Sequence, residues 1–172
     1  MLKVAITGNI AAGKSQVEKI IAAKFPVYDA DKIAHEFLGN VDRKSLGAKV
    51  FADPKALKEL EEYIHPKVKA RILEIFQNKH SEIVFISIPL LFETSFNKLF
   101  DKIIFVAADD NIRLKRLMER NNLSEADALL RMNVQLPQED KINKSDFVIY
   151  NNSTLAELEF QTAKVLSQLQ SI

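Results

Sequence analysis

The chain opens Met1-Leu2-Lys3-Val4-Ala5-Ile6-Thr7-Gly8-Asn9-Ile10-Ala11-Ala12-Gly13-Lys14-Ser15-Gln16-Val17. Leu2, Val4, Ala5 and Ile6 form a short apolar run that reads as a buried strand, and Val17, Ile20 and Ile21 recur at helical spacing. The segment between them, GNIAAGKS from Gly8 to Ser15, fits G-x-x-x-x-G-K-[ST] without a mismatch. Strand, loop and helix follow in the order that motif requires. An ordinary strand-to-helix turn is the weaker reading.

The spacing has a mechanical reason. Gly8 allows a tight exit from the strand. The next backbone N–H groups, through Asn9, Ile10, Ala11 and Ala12, curl into a concave anion site. Gly13 permits close approach to phosphate, and the helix beginning there turns its positive end toward the same anion. Lys14 reaches the β- and γ-phosphates, and Ser15 offers a hydroxyl to Mg²⁺.

Composition narrows the class. The 172 residues favour one domain, and 47% hydrophobic content supports a sizeable core and argues against disorder. Twenty-four basic and 23 acidic side chains leave a net charge of +1. That is no global basic field, so nucleic acid is not an expected partner. The sequence has no cysteine, which excludes disulfides, thiolate metal sites and a Cys nucleophile. No apolar run reaches membrane-spanning length, and the opening strand leads straight into the loop without signal-peptide regions. The expectation is a cytoplasmic, monomeric enzyme.

Further strands are expected at about 26–28, 83–88, 103–107 and 147–150, separated by helical stretches. The alternation predicts a parallel sheet covered on both faces. Asp29 and Asp31 stand one residue apart at the carboxyl end of the second strand, where open α/β sheets bind ligands. One carboxylate there is a helix cap; two point to function for at least one. Residues 39–79 read as a mostly helical lobe, with helical spacing at Leu46, Val50 and Phe51. A second stripe of Leu57, Leu60, Tyr63 and Ile64 is interrupted at His65-Pro66 and resumes at Val68, Ile72, Ile75 and Phe76. Pro89-Leu90-Leu91-Phe92-Glu93 ends a buried strand and reads either as packing or as a pocket wall.

The helix through Ile112, Leu114, Leu117 and Met118 carries Arg113, Lys115, Arg116 and Arg120, a solvated face or a lid. Ser124-Glu125-Ala126-Asp127 starts the next helix, which continues over 125–136 through Leu129, Leu130, Met132 and Val134, with Arg131 and Gln135 interleaved. The last helix is expected to bury Leu155, Leu158, Val165, Leu166 and Leu169.

Several separated stretches together resemble one family, dephospho-coenzyme A kinase: GNIAAGKS, VYDADKIAHEFL, IPLLFE, RLKRLMERNNLSEADALLRMNVQ and KINKSDFVIYNNS. The phosphate loop occurs in many families; D-A-D-x-x-A-H and P-L-L-F-E are more specific, and their order agrees. The resemblance spans nearly the whole chain. It implies a three-layer α/β P-loop kinase fold with a five-stranded parallel sheet, in a single domain over 1–172. A helical substrate lobe would occupy about 32–79 and a helical lid about 113–141. The implied reaction is ATP-dependent phosphorylation of the ribose 3′-hydroxyl of dephospho-coenzyme A, with Mg²⁺.

Carried over by position, Gly8 to Ser15 and Gln16 hold the ATP phosphates, with Ser15 on the metal. Asp31 orients the attacking hydroxyl, and Lys14, Arg131 and Lys141 are catalytic cations. Asn151 or Asn152 lies where the family approaches adenine. Asp31, His35, Leu91, Phe92 and Glu93 line the acceptor side.

The chain departs from the family in three places. Asn9, Ala11 and Ala12 stand in a loop usually richer in glycine, so Asn9 is expected to take up a glycine-like conformation or alter the loop slightly. Many relatives have an acid where Ser87 stands, which leaves the second protein contact to Mg²⁺ open. The stretch between Leu38 and Arg43 is short. From the residues alone, another small-molecule kinase or a non-catalytic ATP-binding module also fits.

Overall fold

A computed structural model describes residues 1–38, 53–78 and 81–172. The expectations for Leu46, Val50, Phe51 and the short stretch after Leu38 lie outside the described residues.

The elements alternate as expected. Strand β1 (Leu2–Gly8) leads to helix α1 (Lys14–Ala22), then β2 (Val27–Asp29), α2 (Ala30–Leu38) and α3 (Pro54–Asn78). Strand β3 (Ile83–Ser87), a 3₁₀ turn (Phe96–Leu99) and β4 (Lys102–Ala107) follow. Then come α4 (Asp110–Asn121), α5 (Glu125–Asn133), α6 (Gln138–Ile142), β5 (Phe147–Tyr150) and α7 (Leu155–Gln170). Five strands form one sheet in the order β2-β3-β1-β4-β5, with β1 parallel to β3 and β4, and β4 parallel to β5.

The chain divides into two compact units, 1–27 with 81–172, and 28–80. In the first unit, Val4 and Ile6 of β1 join Phe85, Ile104, Val106 and Ile149 in a core closed by Val17 and Ile21 of α1 and by Leu158, Val165, Leu166 and Leu169 of α7. Their strand neighbours Ala5, Thr7, Val84, Ile86 and Phe105 are buried too. With alternate residues on opposite faces, this is the two-sided burial of a parallel sheet. A smaller cluster of Leu117, Ala128 and Met132 joins α4 to α5, and Ile10 and Ala11 of the loop pack against it.

Several expectations change. Pro66 does not end a helix: α3 runs continuously for 25 residues through it. A proline removes one backbone bond and crowds the preceding turn. The apolar stripe keeps its phase across it, however, and Ile64, Val68, Ile72 and Phe76 are all buried. Tyr63 is not on that stripe; it is exposed, and the Lys67 ammonium lies 3.5 Å from its ring centroid. On α5 the buried residues are Ala128 and Met132, whereas Leu130 and Val134 are exposed. The helix is apolar on several sides, so periodicity alone does not choose a face. Leu155 sits exposed in the first turn of α7. Arg113 belongs to no solvated face. It is buried in α4, with the exposed Asp110 carboxylate 3.6 Å away. Burial holds its guanidinium below the ordinary arginine range, and Asp110 offsets part of that.

Candidate active site

The loop from β1 to α1 is built by three devices. Gly8 is the last residue of β1, and its φ is not positive. A β-carbon there would meet the Val106 carbonyl oxygen at 2.6 Å. Close packing of β1 on β4, rather than a tight turn, therefore requires glycine at this point. Gly13 does use glycine's conformational freedom, at φ 95. The left-handed residue earlier in the loop is Ala11, at φ 62, not Asn9. The left-handed region costs a non-glycine residue about 1–2 kcal/mol. The Ala11 methyl recovers part of that by packing on the Leu117–Met132 cluster.

Two loop amides are already engaged by protein. Ile10 N–H donates to Gln135 Oε1 at 2.7 Å, and Ala12 N–H to the Asn9 carbonyl at 3.0 Å. Gln16 N–H also turns inward, to Gly13 O at 2.9 Å. The groups best placed for an anion are the first amides of α1, which have no intrahelical acceptor. Asn9 uses its side chain instead, donating Nδ2–H to the Leu136 carbonyl at 3.1 Å. Asn9 and Gln135 thus tie the loop to the segment after α5, a role invisible in the spacing of the motif.

Asn151, at the end of β5, closes the other side. Its Nδ2–H donates to Ala12 O at 2.9 Å, and its carbonyl accepts from Arg116 Nη2 at 3.0 Å. A cavity of about 540 Å³ opens here, lined by Gly13, Ser15, Gln16, Arg116, Arg120 and Asn151. Its size suits a small-molecule ligand. Arg116 Nη1 is buried beside it with no hydrogen-bond partner among the described residues, a donor in want of an acceptor. Arg116 and Arg120 are four apart on one helix face, and that spacing was the available signal for them. A β-carbon on Gly13 would come within 2.0 Å of Asn151 Nδ2. Gly13→Ala is therefore expected to push Asn151 off the loop and abolish measurable nucleotide binding; calorimetric titration with ATP checks this.

Lys14 reaches down rather than out. Its Nζ lies 2.5 Å from Glu18 Oε1 and also donates to Ser87 Oγ at the end of β3. Ser15 is exposed at the start of α1. Glu18 was not singled out from the sequence, because an acid four residues after a lysine also reads as an ordinary helix-face pair.

The turn after β3 divides its candidates. Leu91 is fully buried, Phe92 is half-buried, and the Glu93 side chain is 22% exposed. Glu93 accepts from Lys141 Nζ at 2.5 Å, and Lys141 is 1% exposed. Two residues assigned separately, one to the acceptor side and one to the lid, thus form one largely buried ion pair. Removing one partner strands the other charge. Glu93→Ala is expected to destabilise the fold by about 3 kcal/mol, the lower end for buried pairs because Glu93 is partly solvated; urea unfolding measures it. Arg131, in the last turn of α5, is exposed.

In the second unit, Asp29 and Asp31 separate in role. Asp29 Oδ1 accepts from the N–H of Asp31 at 2.8 Å, so Asp29 is the cap of α2. Asp31 is exposed in the first turn of that helix. His35 follows on α2, half-buried, and its Nδ1 has no hydrogen-bond partner among the described residues.

The family model for dephospho-CoA kinase matches residues 36–157. A dephospho-CoA kinase of Fusobacterium nucleatum is 37% identical, over 90% of this chain and 92% of its own length. The crystal structure of TT1252 from Thermus thermophilus superposes with a TM-score of 0.83 at 34% identity, covering 98% of this chain and 97% of that one. Dephospho-CoA kinase from Campylobacter jejuni gives 0.75 at 33% identity, covering 97% and 96%. With a G-x-x-x-x-G-K-[ST] loop between β1 and α1, a five-stranded parallel-type sheet and relatives matched along nearly their full length, the chain belongs to the dephospho-CoA kinase family and has the P-loop kinase fold.

Proposed function

We propose that the protein transfers the γ-phosphoryl group of ATP to the ribose 3′-hydroxyl of dephospho-coenzyme A. The observation that carries this reading is the cradle at the start of α1, where Gly13 at φ 95 lies against Asn151 and Arg116 keeps a buried N–H unpartnered among the described residues. Family membership supplies the acceptor.

In this reading the Gly8–Gln16 segment holds the triphosphate and Asn151 borders the adenine end. Arg116 and Arg120 add positive charge. Asp31 accepts a hydrogen bond from the acceptor hydroxyl, with His35, Phe92 and Glu93 on the acceptor side and Leu91 behind them. The 3′-oxygen forms a bond to the γ-phosphorus, the bond from that phosphorus to the β–γ bridging oxygen breaks, and its electron pair leaves on ADP. The hydroxyl proton passes to Asp31. Positioning and charge stabilisation supply most of the rate in such transfers. Arg131 approaches the transferring group when the lid of residues 113–141 closes, and Lys141, held by Glu93, anchors the lid's far end. The helical unit 28–80 contains the acceptor lobe, and 1–172 works as one domain, a monomer of the cytoplasm.

The oxygen donors of Ser15, Ser87 and Glu18 suit a hard cation, and Mg²⁺ bound there would neutralise the phosphate oxygens. The test is ATP-dependent conversion of dephospho-coenzyme A, with adenosine and AMP as competing acceptors. Phosphorylated product is expected from dephospho-coenzyme A alone. Preferential transfer to AMP or adenosine defeats the assignment of acceptor, and ATP binding without transfer to any alcohol defeats the assignment of activity.

A further inference from the structure

Glu18 lies outside the G-x-x-x-x-G-K-[ST] pattern, yet its carboxylate joins the two elements that meet beneath the loop. Glu18 Oε1 accepts from Lys14 Nζ and from Ser87 Oγ. Lys14 and Glu18 are 15% and 17% exposed, and Ser87 is wholly buried. Helical periodicity puts Glu18 three residues beyond Ser15, on the same face of α1.

The charges in this corner must be balanced in two states. Without nucleotide, the Lys14 ammonium and the positive end of α1 face the Glu18 carboxylate. A triphosphate seated on the α1 amides attracts Lys14 toward its own oxygens. Among the described residues Glu18 then keeps only the neutral Ser87 hydroxyl, and a carboxylate largely removed from water needs a cation. Magnesium at nucleotide sites takes one or two protein carboxylates and completes its shell with phosphate oxygens and water. Among the described residues there is no cluster of three acidic, histidine or cysteine side chains that would hold a metal unaided. A site of one carboxylate and two hydroxyls that is completed by phosphate fits that arrangement.

We propose that Glu18 is the carboxylate of the cation site: on nucleotide binding it releases Lys14 and holds Mg²⁺, directly or through a metal-bound water, with Ser87 fixing its orientation. The inference rests on the nucleotide reading of the loop. Ser87, at the carboxyl end of β3, is then the residue through which the sheet positions an acid carried by a helix.

The test separates metal from nucleotide. ATP is titrated into the full chain by calorimetry, once in EDTA and once with Mg²⁺, and Mn²⁺ bound to the ATP complex is counted by electron paramagnetic resonance. Glu18→Gln keeps the shape of the side chain and removes its charge. It is expected to lose roughly 10–100-fold in Mn²⁺ affinity, the usual effect of losing a metal-site partner. Affinity for metal-free ATP in EDTA should be kept or increased, because Lys14 no longer has a competing partner. Adding Ser87→Asp to Glu18→Gln moves the acid to the other end of the same hydrogen bond and should restore Mn²⁺ binding. Glu18→Asp, which keeps the charge but draws it back by one methylene, should fall between and serves if the glutamine variant does not fold. Equal Mn²⁺ affinity in the parent and in Glu18→Gln, or in Glu18→Asp where that variant must serve, overturns the proposal. A parent protein that binds ATP neither in EDTA nor with Mg²⁺ overturns it together with the nucleotide reading.

Discussion

Asp31→Asn is expected to lower turnover by roughly 10²–10⁴-fold, the range for loss of a positioned base, while ATP affinity is kept. The fold isolates this effect well. Asp29 caps α2 through its own carboxylate, bonding to the backbone N–H of residue 31 rather than to its side chain. The asparagine variant therefore retains the cap. It gives up the favourable charge in the first helical turn, worth about 0.3–1 kcal/mol. A normal melting temperature with greatly reduced single-turnover transfer is the predicted combination. The substitution Asp29→Ala should do the reverse, disturbing α2 more than the chemistry, because it removes the capping oxygen. Undiminished turnover in Asp31→Asn would remove that carboxylate from the reaction, whatever the fate of the rest of the site.

Lys14→Ala should cost about 10²–10³-fold in the phosphoryl-transfer step, the scale seen when one preorganised group facing developing charge is lost. Rapid mixing with labelled ATP and acceptor reads that step directly. The same substitution takes the Lys14 ammonium from Glu18 and leaves it the Ser87 hydroxyl, so a modest loss of stability accompanies it. Lys14→Arg is not expected to rescue transfer. The lysine sits in a narrow corner between Glu18 and Ser87, and a planar guanidinium cannot replace a compact ammonium there. Single-turnover transfer that survives Lys14→Ala intact would show that the loop does not grip the reacting phosphates.

Much of the molecule could be read before its structure. The β1 run, the GNIAAGKS loop and α1 follow from local pattern and motif spacing, because each needs only neighbours in sequence. Ser124 caps α5 as its S-x-x-D signature indicates, accepting the Asp127 N–H at 3.2 Å. The strand segments are short apolar runs bounded by helices, and each lies in the sheet within a residue or two of its expected place. The pairing of Asp29 and Asp31 was legible too, although which one serves as the cap was not.

The remainder depends on partners distant in the chain. Nothing near Lys141 indicates that its ammonium will be buried against Glu93, 48 positions earlier. Nothing local identifies Arg113 as buried, or tells Leu130 and Val134 from Ala128 and Met132 on a helix with apolar residues on several faces. Pro66 looks like a break until the stripe on both sides of it is seen to share one buried face. Sequence by itself determined the order of elements and the place of the GNIAAGKS loop between β1 and α1, since these follow from backbone preference and side-chain chemistry at fixed spacing. Tertiary structure alone decided which charges are neutralised, which arginine faces the cavity and which loop residue takes the left-handed turn, because burial and ion pairing arise only when the strand ends bring separate segments together.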